Sequence, residues 1–400
     1  AIAFDSRNNS KEFARKVAEV LSANGVHTYL FEELRPTPEL SFAVRELGCD
    51  FGIVLTASHN PKEYNGYKVY WNDGGQLVPP HDSAVIEKVR ATSFEDIRWD
   101  ANEDLIQTVG AEIDEKYTDM VANLSLSNAG KTELDIVFTA LHGTSIVSVP
   151  PALKKAGYTK VQLVEAQSTP DGNFPTVDSP NPEESAALAM AVAQAEATNA
   201  DLVIGCDPDT DRVGIAVNDG TGKMQLLNGN DTAALLVHYI LDAYKNNGTL
   251  PANGFTAATV VTTDLIADIS KAYGVPCYRC LTGFKWIADI INNTPEEQFL
   301  VGGEESYGYL IGDAVRDKDA VASAVMIAEM AASAKAQGRT VLQQLEAIHR
   351  EFGQYQERLI SITKKGRSGA QEIADMMTAL RNDPPKTLAG SPVIVAIDHS

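Results

Sequence analysis

Long apolar runs are missing from this chain: no stretch approaches the 18 or so residues that would cross a bilayer, and no secretory signal is recognisable. Cysteine is scarce. Its 4 residues, Cys49, Cys206, Cys277 and Cys280, lack the spacing of a disulfide framework, which points to a reducing, cytoplasmic setting. Cys277 and Cys280 form one Cys-x-x-Cys, but a tetrahedral zinc site needs two further ligands at similar spacing, so the pair is read as chance. Positive charge is also in short supply, with 33 Lys and Arg against 54 Asp and Glu and a net charge of −21. Nucleic acid and anionic membrane would be repelled over most approaches and are excluded as partners; an anionic small molecule needs a local basic pocket.

What is present is a 400-residue chain with 44% apolar residues, enough for two to four domains with separate cores. Short β-branched runs alternate with helical patterns, which favours α/β layers with largely parallel pairing. Ser10 is expected to cap a helix whose Phe13, Val17, Val20 and Leu21 share one face, and Gly25 to end it before a strand over Thr28 to Phe31. Similar units start at Asp135 to Thr139 and at Ala257 to Thr262. Turn chemistry at Ser127-Asn128-Ala129-Gly130 and Asn253-Gly254 divides the chain into 1–130, 131–253 and 254–400: three similar α/β/α domains with mixed sheets around a shared cleft. The run Val393 to Ile397 is strand-like, and both ends read as cut.

Each unit has an inner strand that runs into an unusually polar loop. Phe51 to Leu55 leads to Thr56-Ala57-Ser58-His59-Asn60-Pro61, Leu202 to Ile204 to Asp207-Pro208-Asp209-Thr210-Asp211-Arg212, and Phe299 to Val301 to Gly303-Glu304-Glu305-Ser306. Ligands of open α/β sheets sit at the carboxyl ends of strands, so these loops are the candidate site. Asp207, Asp209 and Asp211 alternate, so an extended loop turns all three carboxylates to one side, where a cation must gather them. Oxygen ligands point to Mg²⁺, and Arg212 beside them suits a phosphate. An EF-hand is excluded, because Arg212 and Asn218 stand where its Gly and Glu belong. An aspartyl-nucleophile phosphatase accounts for Asp209-x-Asp211 but leaves Ser58 idle. Ser58 has His59 next to it and Lys68 a turn away, groups that can assist a serine nucleophile; the bland alternative is a strand-to-helix turn. A Ser-His-Asp hydrolase is disfavoured, since no Gly-x-Ser-x-Gly surrounds Ser58. Glu304 and Ser306 suit vicinal sugar hydroxyls, with Thr282 to Trp286 and Arg316 to Asp319 supplying cations nearby; a solvated surface explains Glu304-Glu305 taken alone better, and a surface salt-bridge cluster explains the cations equally well.

Taken in order, the three loops resemble those of the α-D-phosphohexomutase superfamily, the phosphoglucomutase/phosphomannomutase family, over nearly the whole chain. The resemblance implies an Mg²⁺-dependent isomerase that moves a phosphoryl group between hexose 1-phosphate and 6-phosphate through phospho-Ser58 and a 1,6-bisphosphate, with glucose 1,6-bisphosphate as activator. It also implies that Asp207, Asp209 and Asp211 hold the metal with a phosphoserine oxygen, that Arg212, Thr282, Glu304, Ser306 and Lys318 meet a sugar phosphate, and that His59 or Lys68 moves the proton. Glu304-Glu305-Ser306 is similar to phosphoglucomutases and related phosphopentomutases rather than the phosphoglucosamine branch. A pentose-phosphate mutase, phosphomannomutase or sugar-bisphosphate synthase would share these residues; a phosphatase or a non-catalytic sugar-phosphate sensor are the alternatives of another class. In the family an Arg-Gly segment would precede Ala1 and a fourth, phosphate-gripping domain would follow Ser400, so turnover by this chain alone is expected to be impaired.

Overall fold

The computed structural model describes residues 1–357, 364 and 366–398, which fall into two compact units, Ala1–Tyr355 and Gln356–Ser400. The first unit opens with β1 (Ile2–Phe4), α1 (Ser10–Ala23), β2 (Thr28–Phe31), α2 (Thr37–Glu46), β3 (Phe51–Leu55), β4 (Tyr67–Trp71), α3 (His81–Ala91), β5 (Ile106–Val109) and α4 (Ala111–Ala122). Its sheet runs β4-β3-β1-β2-β5, parallel except for β4, which pairs antiparallel with β3. The first three strands read as short, continuous apolar runs because both faces of the sheet are covered, by clusters around Phe31, Leu40, Val44 and Val54 on one side and Ile2, Phe4, Ala14 and Ile53 on the other.

Two expectations for α1 need correction. Asn9, not Ser10, is the N-cap residue; Ser10 lies inside the first turn, where its hydroxyl donates to Asp5 at 2.8 Å. The buried face is Ser10, Ala14, Ala18 and Ser22, while Phe13 is 46% exposed. Small side chains let the helix lie close to the strands; Val17 and Leu21 pack half-buried against the same cluster, as expected, while Phe13 is displaced outward. Gly25 does end the helix: at φ 81 it takes the left-handed conformation, and its N–H and that of Val26 close on Ser22 and Leu21 carbonyls.

The second sheet is built from β6 (Ile136–Thr139), α5 (Val149–Lys155), β7 (Val161–Leu163), α6 (Ser185–Thr198), β8 (Leu202–Cys206), β9 (Val213–Asn218) and β10 (Met224–Leu227), in the order β10-β9-β8-β6-β7. After α7 (Gly229–Asn246) comes the third: β11 (Gly254–Thr259), α8 (Leu265–Ala272), β12 (Cys277–Cys280), α9 (Lys285–Asn293), β13 (Gln298–Gly303) and β14 (Tyr309–Ile311), ordered β12-β11-β13-β14, then α10 (Ala320–Ala336) and α11 (Val341–Phe352). The strand expected over Ala257 to Thr262 lies earlier. Val260 and Val261 form a turn, because the Thr262 hydroxyl folds back within 2.7 Å of Thr259 Oγ1 and 3.2 Å of Glu305 Oε2. Cys277 and Cys280 lie three apart on the edge strand β12, hence on opposite faces, which no shared metal site allows.

A single apolar cluster runs from Tyr117 on α4 through both later sheets to Ile348 on α11, with α10 at its centre. Polar groups buried against it are bonded in turn. Glu329 on α10 is fully buried and accepts from Leu126 N (2.8 Å), Ser127 N (3.0 Å), Tyr239 Oη (2.9 Å) and the Ser125 hydroxyl, with Lys131 Nζ at 3.1 Å. It thereby ties down the segment joining the first sheet to the second.

The second unit holds α12 (Gly366–Asn382) and a hairpin of β15 (Thr387–Leu388) with β16 (Ser391–Pro392). The run Val393 to Ile397, expected as a strand, follows β16 outside any strand; Ile394, Val395 and Ile397 are exposed.

Candidate functional site

β3 and β8 end where Ser58 and Asp207 begin their loops, and the two loops meet: Ser58 Oγ donates to Asp207 Oδ2 at 2.7 Å. Ser58 has φ 53, left-handed and unusual for a residue with a Cβ, and its N–H is held by Thr56 Oγ1 at 2.8 Å. β4 returns antiparallel along β3 and carries Lys68 into the same space, where Nζ lies 2.9 Å from Asp209 Oδ2 and 3.1 Å from Asp211 Oδ2. From the third sheet Lys318 reaches Asp211 Oδ2 at 3.2 Å. The loop Asp207 to Arg212 is set from behind. Thr144 donates to Pro208 O from both its N–H (2.8 Å) and its hydroxyl (3.0 Å), and Ala320 N at the start of α10 donates to Thr210 O. A Cβ on Gly143 would stand 2.4 Å from Pro208 Cα, so only glycine permits this approach.

The three aspartates are buried, and one carboxylate oxygen of each lies within 4.8 Å of the others. Asp207 Oδ1 is occupied by Asp211 N and Arg212 N, whereas Asp209 Oδ1 and Asp211 Oδ1 are buried without a hydrogen-bond partner among the described residues. Buried carboxylate oxygens left over in this way are costly unless a cation takes them, and an oxygen-only donor set fits a hard divalent ion. The cluster divides its charge unevenly. Burial and the two neighbouring carboxylates push Asp207 well above the usual carboxylate range. Burial acts upward most strongly on Asp209 and Asp211 too, with Asp211 adding to it at Asp209, but Lys68 together with the Asp207 carboxyl brings Asp209 below that range, and Lys318, Lys68 and Arg212 together bring Asp211 below it. Lys68, which burial alone would depress, is held well above its ordinary value by the same two carboxylates and is an ammonium throughout. His59 is lowered to about 4, by burial and then by Arg212, and is neutral near pH 7 with Nδ1 3.3 Å from Ser58 Oγ.

The remaining expected residues are less tightly gathered. Arg212 is turned to Glu183, 2.5 Å from Nη1 to Oε1. Glu304 is 5% exposed and accepts from Gly283 N at 2.9 Å, its pKa raised by burial. Ser306 is half-buried in the loop beyond β13, and Thr282 is exposed just before α9. Lys318 lies beneath this loop with its ammonium 5.8 Å from the Phe284 ring centre. Two contributors escaped the sequence reading: Arg7, buried after β1, which bonds to the serine loop, and Thr37, which bonds to Asp209. The one local signal was that β1, like the other inner strands, ends in polar residues, Asp5-Ser6-Arg7.

Three α/β sheets whose loops bring together a serine, a buried carboxylate cluster able to hold a cation, and lysines define a class of α/β enzyme with its site at the strand ends. Family models describing phosphoglucomutase/phosphomannomutase α/β/α domains I, II and III match residues 1–96, 115–220 and 228–352. The chain is 38% identical over 403 residues to a phosphoglucomutase of Staphylococcus epidermidis, covering 99% of this chain and 73% of that one. It is also 38% identical over 405 residues to a Haemophilus influenzae protein named "Probable phosphomannomutase", covering 100% and 80%. A phosphoglucomutase/phosphomannomutase family protein from Burkholderia thailandensis shares the fold, with TM-score 0.69 at 21% identity over 87% of this chain and 70% of that one. The chain belongs to the phosphoglucomutase/phosphomannomutase family, whose members are isomerases. No helix among the described residues is long and apolar enough to cross a membrane.

Proposed function

We propose that the protein moves a phosphoryl group between the 1- and 6-oxygens of a hexose phosphate, glucose phosphate foremost, with Ser58 as carrier and a 1,6-bisphosphate as intermediate and activator. The observation that carries this reading is the meeting of Ser58 Oγ with the aspartate cluster across two separate sheets, 2.7 Å from Asp207 Oδ2. Asp207, Asp209 and Asp211, with a phosphoserine oxygen, would hold Mg²⁺, which supplies neutralisation of phosphoryl charge when bound. Relatives named for both glucose and mannose phosphates support a hexose as substrate.

The chain's own residues do the rest. When Ser58 is charged from a bisphosphate, the Oγ–P bond forms as the sugar O–P bond breaks, and the hydroxyl proton must leave. That proton is directed at Asp207 Oδ2 in the structure; once the hydroxyl turns from Asp207, His59, neutral and unprotonated at Nδ1 in the tautomer that carries its proton on Nε2, can take it across 3.3 Å, whereas Lys68, an ammonium, cannot. Lys68 and Lys318 supply fixed positive charge, and Arg212 would exchange Glu183 for a phosphate oxygen. Glu304 and Ser306 would bind sugar hydroxyls, with Thr282 beside them. Mass spectrometry after incubation with glucose 1,6-bisphosphate and Mg²⁺ tests the reading: one phosphoryl group is expected on Ser58, and none in Asp209→Ala. An unlabelled Ser58 together with failure to bind glucose phosphates would sink it, and hydrolysis surviving in Ser58→Ala would point to an aspartyl phosphatase instead.

A further inference from the structure

We propose that Arg7, anchored by Asp5, is a positioning residue that clamps the serine loop and so aims Ser58 Oγ; the inference rests on the reading of Ser58 as phosphoryl carrier. Arg7 follows β1 and is 3% exposed, although its neighbour Asn8 is at the surface. Its Nε faces Asp5 Oδ2 at 3.3 Å, both side chains being wholly buried. Asp5 is fixed in turn, for its Oδ1 accepts from Arg7 N at 2.9 Å and from Ser10 Oγ at 2.8 Å. The far side of the guanidinium faces main-chain carbonyls. Nη1 donates to the carbonyls of Pro61 (2.9 Å) and Tyr64 (3.0 Å), and Nη2 to those of Ser58 and Asn60. Four carbonyls within seven residues of loop therefore converge on one planar fork, which also lies 5.3 Å from the centre of the Phe174 ring.

The loop needs such a clamp. Ser58 is held at φ 53, a conformation a serine does not keep unaided, and the stretch from Thr56 to Gly66 lies between β3 and β4 with no strand of its own. Thr56 Oγ1 fixes the N–H side of Ser58 and Arg7 fixes its carbonyl, so the backbone on both sides of the nucleophile is pinned. A lysine could keep the ion pair with Asp5 but not the fork, since its three donors radiate from one point. All of the Nη donors are spent on carbonyls, so Arg7 makes its contribution through aim rather than through substrate binding.

Arg7→Lys in the full chain separates these roles. Its melting temperature should stay within a few degrees, while hydrogen exchange of the 58–64 amides rises about tenfold and single-turnover labelling of Ser58 by glucose 1,6-bisphosphate slows about 100-fold. KM for the sugar phosphate should change less than about threefold. Unaltered loop exchange in the folded variant overturns the clamp, and labelling at the unmutated rate overturns the positioning role. Asp5→Asn, which keeps the fork and frees its anchor, should shift both readouts the same way and carries the test if Arg7→Lys does not fold. If Ser58 of the unmutated protein takes no phosphoryl group and glucose phosphates do not bind, the carrier reading fails by itself, and loop exchange still decides the clamp.

Discussion

Thr37, at the start of α2, and Asp209, in the loop after β8, are joined twice: Thr37 N donates to Asp209 O and Thr37 Oγ1 to Asp209 Oδ2, each at 2.9 Å. Because Lys68 takes the same Oδ2, the carboxylate is held through that oxygen, and Oδ1 is left buried without a hydrogen-bond partner among the described residues. Thr37→Val keeps the shape and removes the hydroxyl, so Mn²⁺ binding, followed by calorimetry or paramagnetic resonance, should weaken about tenfold, and Thr37→Ser should restore it. Equal affinities in all three proteins would remove any orienting role for Thr37.

Lys68 offsets two buried carboxylates when no metal does. Breaking buried ion pairs typically costs about 3–5 kcal/mol, so Lys68→Met should melt several degrees lower in EDTA than the unmutated chain. Mg²⁺ should then raise the melting temperature of the variant more than that of the parent, because the ion replaces the lost positive charge. An equal increment in both proteins would separate Lys68 from the metal site.

His59 gives a pH dependence of known sign. Its folded pKa is lowered from 6.5 to about 4, so between those values the unfolded chain binds the extra proton and the folded one does not. The stability it contributes is present above pH 6.5 and lost as pH falls toward 4. Urea midpoints at pH 7 and pH 5 should therefore differ less in His59→Gln than in the parent, and an unchanged difference would show that His59 titrates normally.

Glu329 tests the joint between sheets. Glu329→Ala strands two backbone N–H groups, a tyrosine hydroxyl and the buried Lys131, and should destabilise the chain by about 3–5 kcal/mol in chemical denaturation. Ser58 labelling in the fraction that remains folded should be unaffected.

The strands Thr28–Phe31 and Phe51–Leu55 were legible residue by residue, because strands covered on both faces leave continuous apolar runs bounded by polar turns. The same logic exposed the three polar loops. The packing face of α1 was legible in part: Val17 and Leu21 do pack against the first sheet, but the fully buried positions are the small residues Ala14 and Ala18, and Phe13 is exposed. Nor were Arg7 and Thr37. Their bonds cross 51 to 57 and 172 positions of sequence, and Arg7 binds main-chain carbonyls, which every residue possesses and which therefore leave no mark on composition or spacing. Arg212 shows the reverse case: its place beside the aspartates was evident, its bond to Glu183 was not.

The apolar cluster shared by the second and third sheets makes them one cooperative block, whereas the first sheet has small clusters of its own and meets the aspartate loop through polar contacts made by Ser58, Lys68 and Thr37. Such a seam parts at lower stress than a core. The protein thus has a weak joint running through its chemistry: dilute urea should silence phosphoryl transfer well before circular dichroism records any loss of helix, and the silencing should reverse on dilution.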